Sequence, residues 1–86
     1  MMNLNFRKPK TEIELKMNEI GYKFITNFDN KDELLYRYNA VKCGLNYKII
    51  EAYDIYGKQV PCCKAFYIST KCSDLTNFWK HMKTKE

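Results

Sequence analysis

The four cysteines and the single histidine are the residues of this sequence best suited to metal binding or nucleophilic catalysis. Zinc sites use Cys and His ligands at short spacings such as Cys-x2-Cys, whereas the nearest pattern here is the loose series Cys63-x8-Cys72-x8-His81. Cys62 and Cys63 are adjacent, and adjacent residues of a strand point to opposite faces, so we expect them not to hold one ion. Together with Cys43, these thiols are interpreted as small apolar side chains, and no metal site is predicted.

Nucleophilic catalysis requires a thiol or hydroxyl beside a base, and His81 is the only imidazole. We expect His81 to face water, because it projects away from the apolar stripe of its predicted helix. The three glycines are too far apart for a phosphate-binding loop. The sequence therefore predicts no catalytic residue, no cofactor and no enzymatic activity. A Cys/His enzyme or a zinc-supported module is the remote alternative.

Hydrophobic spacing and turn residues divide the chain into predicted helices and strands. Thr11 and Glu14 match a capping box, and Gly21 suits the C-terminal cap of the same helix. Ser73 is a suitable N-cap for a last helix, in which apolar residues recur at helical spacing. Alternating or extended apolar patterns between these helices predict strands over residues 22–28, 34–42, 47–55 and 60–69.

This order, α-β-β-β-β-α, predicts an α+β fold with a four-stranded antiparallel sheet (three to four strands). We expect the N-terminal and C-terminal helices to pack on one face of that sheet. Pro61 cannot donate to a ladder, which predicts a sheet edge or a delayed strand at that point. A chain of 86 residues has room for one hydrophobic core, so residues 1–10 are assigned to a basic arm and residues 11–86 to a single small domain.

The last two strands have two different faces. One is rich in large rings and includes Tyr47, Tyr53 and Phe66, and the other carries small residues such as Ala52 and Ala65. If the N-terminal and C-terminal helices pack on the same side of the sheet, they can cover only one of these two faces. The aromatic face is favoured as the core, because burying large rings stabilises a small domain most, and exposure of that face to a partner is the alternative.

Charge is unevenly distributed along the chain. The formal net charge is +5, and the excess lies in residues 1–10 and in the second half of the chain. Lys outnumbers Arg 13 to 2, which reflects an AT-rich codon bias and weakens charge as an argument for a polyanionic ligand. The bias suggests a bacterium of AT-rich genome, or a phage or mobile element within one. No apolar run reaches the ~20 residues of a membrane span, so a cytoplasmic protein with reduced thiols is expected.

These observations predict a small binding protein. We expect an inhibitor or adaptor that docks on a protein or nucleoprotein of nucleic-acid machinery. The reason is that tyrosine-rich patches are typical of protein interfaces. Direct binding of DNA or RNA by Lys, Arg and exposed Tyr is the alternative. Whether the chain is a monomer or a homodimer is left open. The predicted binding residues are Arg7, Lys8, Lys10, Tyr36, Arg37, Tyr38, Tyr47, Tyr53, Tyr56, Lys58 and Lys64.

Overall fold

Three helices and three strands make up the described part of the chain, residues 12–54, 56–72 and 74–84 of a computed structural model. The fold is α+β with a three-stranded antiparallel sheet, and its order is α-β-α-β-β-α, not the predicted α-β-β-β-β-α. The arm predicted at residues 1–10 lies outside the described residues, as do the predicted caps Thr11 and Ser73. The elements are α1 (Glu12–Glu19), β1 (Tyr22–Asp29), a 3-10 turn (Asn30–Asp32), α2 (Glu33–Lys42), β2 (Tyr47–Tyr53), β3 (Gln59–Ser69) and α3 (Thr76–Thr84).

Residues 34–42 lie within helix α2, so the strand predicted there is wrong. That prediction relied on Tyr36, Tyr38 and Ala40 sharing one face. In α2, Tyr36 and Ala40 pack on the core and Tyr38 is exposed, as expected from 3.6 residues per turn. Packing of this inner face outweighs the strand propensity of the two tyrosines, which is a weak local preference.

A Schellman motif ends α2 at Gly44. Gly44 has a φ of +72°, which glycine adopts without a steric penalty. Its N–H donates to the Val41 carbonyl at 3.0 Å, and the Leu45 N–H donates to the Ala40 carbonyl at 2.9 Å. Leu45 and Ala40 also share one core cluster, which is the apolar contact typical of this cap. The chain leaves the helix here and enters β2.

β3 is the central strand of the sheet, which has the order β1-β3-β2 with antiparallel pairing throughout. The strands predicted over residues 47–55 and 60–69 correspond to β2 and β3, which form an antiparallel hairpin with Tyr47 opposite Ile68. The last five residues of β3, 65–69, are all buried. A continuous buried run is typical of a strand that is covered on both faces.

Helices cover both faces of the sheet, so the prediction that the first and last helices share one face is wrong. Met17 of α1 packs with Ala52, Ala65 and Tyr67 on one side. Helices α2 and α3 cover the other side, which is the aromatic face that the sequence favoured as core. The small residues opposite do not form an open face, because they allow α1 to approach. The buried residues of the aromatic side are Phe28, Ala40, Phe66, Ile68 and Phe78.

Pro61 lies in a bulge of β3, before Cys63, the first residue of that strand that pairs with β1, so this segment is a local edge of the sheet as predicted. The neighbours Glu51 and Ala52 on β2 pair with Lys64 and Val60, respectively. Three residues of β3, Pro61 among them, are therefore inserted between two consecutive pairs. A missing N–H is tolerated at such a position, because no bond to β2 is required there.

Candidate functional site

An apolar stripe runs along the outer face of α2. Leu34, Tyr38 and Val41 occupy positions i, i+4 and i+7, and they are 79%, 56% and 67% exposed. Residues at this spacing lie on one side of a helix. Isolated exposed apolar residues are common on protein surfaces, but these three form a continuous strip. We refer to Leu34, Tyr38 and Val41 as the α2 stripe.

Of the α2 stripe, only Tyr38 was among the predicted binding residues. The stripe was missed because residues 34–42 were interpreted as a strand. In a strand, Val41 and Tyr38 would point to opposite faces of the sheet. The signal that could have found the stripe is the spacing itself, since apolar residues at 34, 38 and 41 fit one helical face.

Positive side chains flank the α2 stripe. Arg37 donates to Glu33 Oε2 from Nη2 at 2.8 Å and from Nε at 3.0 Å, and its Nη1 lies 3.5 Å from the Tyr47 hydroxyl. The hydrogen bond with Glu33, followed by that with Tyr47, raises the pKa of Arg37. Lys42 places Nζ 5.8 Å from the centroid of the Tyr38 ring, a cation–π distance. At 3.6 residues per turn, Arg37 and Lys42 fall on opposite sides of the stripe.

A second ion pair lies on the sheet. Lys64 Nζ is 2.9 Å from Glu51 Oε2, and Gln59 Nε2 donates to Glu51 Oε1 at 3.0 Å. The hydrogen bond between Lys64 and Glu51 lowers the pKa of Glu51 and raises the pKa of Lys64. Arg37 and Lys64, both predicted to contact a partner, therefore already have carboxylate partners within this chain.

The predicted tyrosines do not form one surface. Tyr36 stacks on Phe28 with 4.2 Å between ring centroids, and burial, followed by the charge of Asp32, raises its pKa. Tyr47 is half-buried at the edge of the same core. Tyr53, at the end of β2, is also half-buried. Tyr36 and Tyr47 therefore act mainly in packing.

The tip of the β2–β3 hairpin presents two of the predicted residues together. Asp54 Oδ1 accepts hydrogen bonds from the backbone N–H groups of Tyr56 and Lys58, both at 2.9 Å. Gly57 supplies the positive φ of +84° that the turn requires. The Tyr56 side chain is 83% exposed, and Lys58 is exposed beside it. The three remaining predicted residues, Arg7, Lys8 and Lys10, lie outside the described residues.

The adjacent thiols of Cys62 and Cys63 lie close together, which corrects the expectation that they point to opposite faces. Their Sγ atoms are 3.5 Å apart, because the bulge interrupts the regular alternation of the strand. The hydrogen bond with Cys62, followed by burial, raises the pKa of Cys63. Cys43 and Cys72 are half-buried against the aromatic core. Within residues 12–54, 56–72 and 74–84, no three His, Cys, Asp or Glu side chains are grouped to hold a metal ion.

An open cleft of about 410 Å³ lies between the start of α2 and α3. His81 lies on α3 and is half-buried, so the expectation that it faces water is only partly right. The cleft combines an acid, a base, two aromatic rings and a thioether. It is lined by Asp32, Tyr36, Trp79, Met82 and Lys83.

Comparisons with protein-family models, with curated proteins and with solved structures give no match to this chain. Among the helices of the described residues, none has the length and apolar character needed to cross a membrane.

Proposed function

We propose that this chain is a non-enzymatic binding module that docks on a protein or nucleoprotein partner through the α2 stripe. The supporting observation is the exposure of Leu34 and Val41, at 79% and 67%, on a helix whose opposite face packs on the core through Ala40. Burying an apolar side chain of this size is worth roughly 1.5–3 kcal/mol. The fold of this chain leaves most of that free energy unused, and a partner can gain it on binding.

The partner that fits the α2 stripe presents an apolar helix face bordered by carboxylates. Lys42 flanks the stripe beside Tyr38, so acidic residues at that rim of the partner would be attracted and basic ones repelled. A second copy of this chain fits less well. In a symmetric pair the same flank meets itself, so Lys42 would approach the Lys42 of the other copy.

The partner is proposed to belong to nucleic-acid machinery, with this chain as its inhibitor or adaptor. The support is compositional. Residues 36–86 carry nine Lys or Arg and four Asp or Glu, a net charge of +5. A positive net charge of this kind suits an acidic protein face or a nucleoprotein, where charge complementarity speeds association.

Direct binding of DNA or RNA is the competing function, and the exposed hairpin tip favours it. The Tyr56 ring is 83% exposed beside Lys58, and a stacked aromatic ring contributes ~1–3 kcal/mol per base. Arg37 and Lys64 weigh against it, because a phosphate would have to compete with their carboxylate partners. Protein docking is therefore the better supported proposal.

Three short helical peptides test this proposal. They share one apolar stripe and differ only in flanking residues, which are Glu, Gln or Lys. We expect the Glu-flanked peptide to bind tightest by fluorescence anisotropy, with Leu34→Gln or Val41→Gln each weakening binding about tenfold. Glutamine is chosen because it is a good helix former. Ile20→Gln is the matched control, because Ile20 is 60% exposed and follows α1 on the opposite face of the sheet.

Three results would contradict the proposal. An equal loss of affinity in Ile20→Gln would show that binding does not depend on the α2 stripe. Binding of DNA or RNA that weakens log-linearly with salt, with no peptide bound, would favour the nucleic-acid function. A concentration-dependent dimer that Leu34→Gln dissociates would place a second copy on the stripe.

A further inference from the structure

The bulge of β3 places two thiols where a single small ligand can reach both. Cys62 Sγ and Cys63 Sγ are 3.5 Å apart, although side chains of consecutive strand residues normally diverge. We propose that Cys62 and Cys63 form a two-sulfur chelating site for a soft, thiophilic centre of the trivalent arsenic type. This site is independent of the α2 stripe.

Contacts on both sides of the bulge hold this pair in place. Asn30 Nδ2 donates to the Pro61 carbonyl at 2.9 Å, which ties the residue before the thiols to the turn after β1. Cys63 pairs with Asp29 of β1, and its side chain packs on the core cluster of α1. Cys62 is exposed, so a ligand can approach from solvent. One thiol is thus anchored and the other is accessible.

The donor atoms select the class of ligand. Calcium and magnesium prefer oxygen ligands, and structural zinc requires four ligands. The part of the chain that the structure describes offers no third His, Cys, Asp or Glu side chain grouped with the two thiols. Soft centres prefer sulfur, and two thiols satisfy a trivalent arsenical that carries one organic group.

Capture of such an arsenical needs no oxidant. An arsenoxide R–As=O reacts with the two thiols to give R–As(S–Cys62)(S–Cys63) and one water. Two S–H bonds break and two As–S bonds form, both protons leave with the oxide oxygen as water, and arsenic remains trivalent. A redox switch at the same pair is less favoured. A disulfide between Cys62 and Cys63 requires a two-electron oxidant, whereas chelation of a trivalent arsenical does not.

Titration with phenylarsine oxide, followed by intact-mass spectrometry, tests the site. We expect one arsenical per chain, retained in excess monothiol and released by a dithiol. Chelation by two linked groups exceeds single attachment by about 100-fold or more, so Cys62→Ser and Cys63→Ser should each lose retention by about that factor. Cys43→Ser and Cys72→Ser are the matched controls, because these two thiols pack on the aromatic core cluster and Cys63 packs on the cluster at the opposite face of the sheet. Both control variants should retain the arsenical as the unmodified chain does.

Cys62→Ala is a second variant, because Cys62 is exposed and its truncation should leave the fold intact by circular dichroism. Two results would overturn the inference. One is unchanged retention in Cys62→Ser and Cys62→Ala. The other is release of the arsenical from the unmodified chain by monothiol alone.

Discussion

Truncating Tyr36 and truncating Tyr38 to Ala should have very different effects on stability, although the two residues are separated by only one position. Tyr36 stacks on Phe28 at 4.2 Å and contacts Phe66 edge-on at 5.4 Å. Loss of a fully buried aromatic ring costs about 3–5 kcal/mol, and Tyr36 is half-buried, so about 2–3 kcal/mol is expected. Tyr38 is 56% exposed, and a surface substitution costs about 0.5 kcal/mol or less. Loss of the contact with Lys42 adds about 0.5 kcal/mol at an exposed site.

Urea denaturation followed by circular dichroism measures the difference directly. A small domain has a slope of about 1 kcal/mol per molar urea, so Tyr36→Ala should lower the midpoint by about 2 M or more. Tyr38→Ala should lower it by less than half as much. Equal shifts, or a larger shift for Tyr38→Ala, would refute the helical assignment of residues 34–42, because a strand would place both rings on the same face.

The remaining predictions concern the cap of α2 and the ion pair on the sheet. Gly44→Ala should lower the free energy of unfolding by roughly 1–2 kcal/mol, because Gly44 has a φ of +72° and residues with a Cβ are strained there. Gly44→Asn should lower it by less, because asparagine tolerates this conformation better than alanine. Urea denaturation of both variants measures the difference. The pKa of Glu51 lies below its ordinary value of 4.5 because of Lys64, and NMR titration should show it rising in Lys64→Gln. Because the folded-state pKa of Glu51 is lowered, its stabilising effect is present above the unfolded value and is lost as the pH falls through the folded value. Unfolding measured from about pH 6 down to pH 3 should therefore show a shallower acid-side loss in Lys64→Gln, and an unchanged slope would contradict the pairing.

The β2–β3 hairpin and its faces could be predicted because their signals are local. Gly57 marks the turn, and alternation along both strands assigns Tyr47 and Phe66 to one face. The structure confirms this pairing and buries that face. Coverage of the opposite face could not be predicted in the same way, because the side on which α1 packs depends on contacts between distant segments, such as Met17 with Ala65.

Residues 34–42 show how a local pattern can mislead. Tyr36 and Tyr38 have high strand propensity and alternate with Leu35 and Arg37. The same residues also fit a helix, and two signals favour it, namely the Glu33–Arg37 spacing of an ion pair and the glycine that follows the segment. Packing of Tyr36 and Ala40 on the aromatic core decides between them. The α2 stripe was missed for this reason.

The proximity of Cys62 and Cys63 could not be read from the sequence. It follows from the register of β3, in which Val60 pairs with Ala52 while Lys64 pairs with Glu51. Such an insertion depends on how two strands align along their whole length. Pro61 was the only local sign that regular pairing is interrupted there.

Binding of a partner by the outer face of α2 can be tested residue by residue. The experiment is amide chemical-shift mapping by ¹⁵N NMR, with the Glu-flanked helical peptide added to the intact chain. We expect the largest shifts on residues 31–42, with the Leu34, Tyr38 and Val41 amides moving together. Largest shifts at the hairpin tip around Tyr56, or on α1, would contradict it.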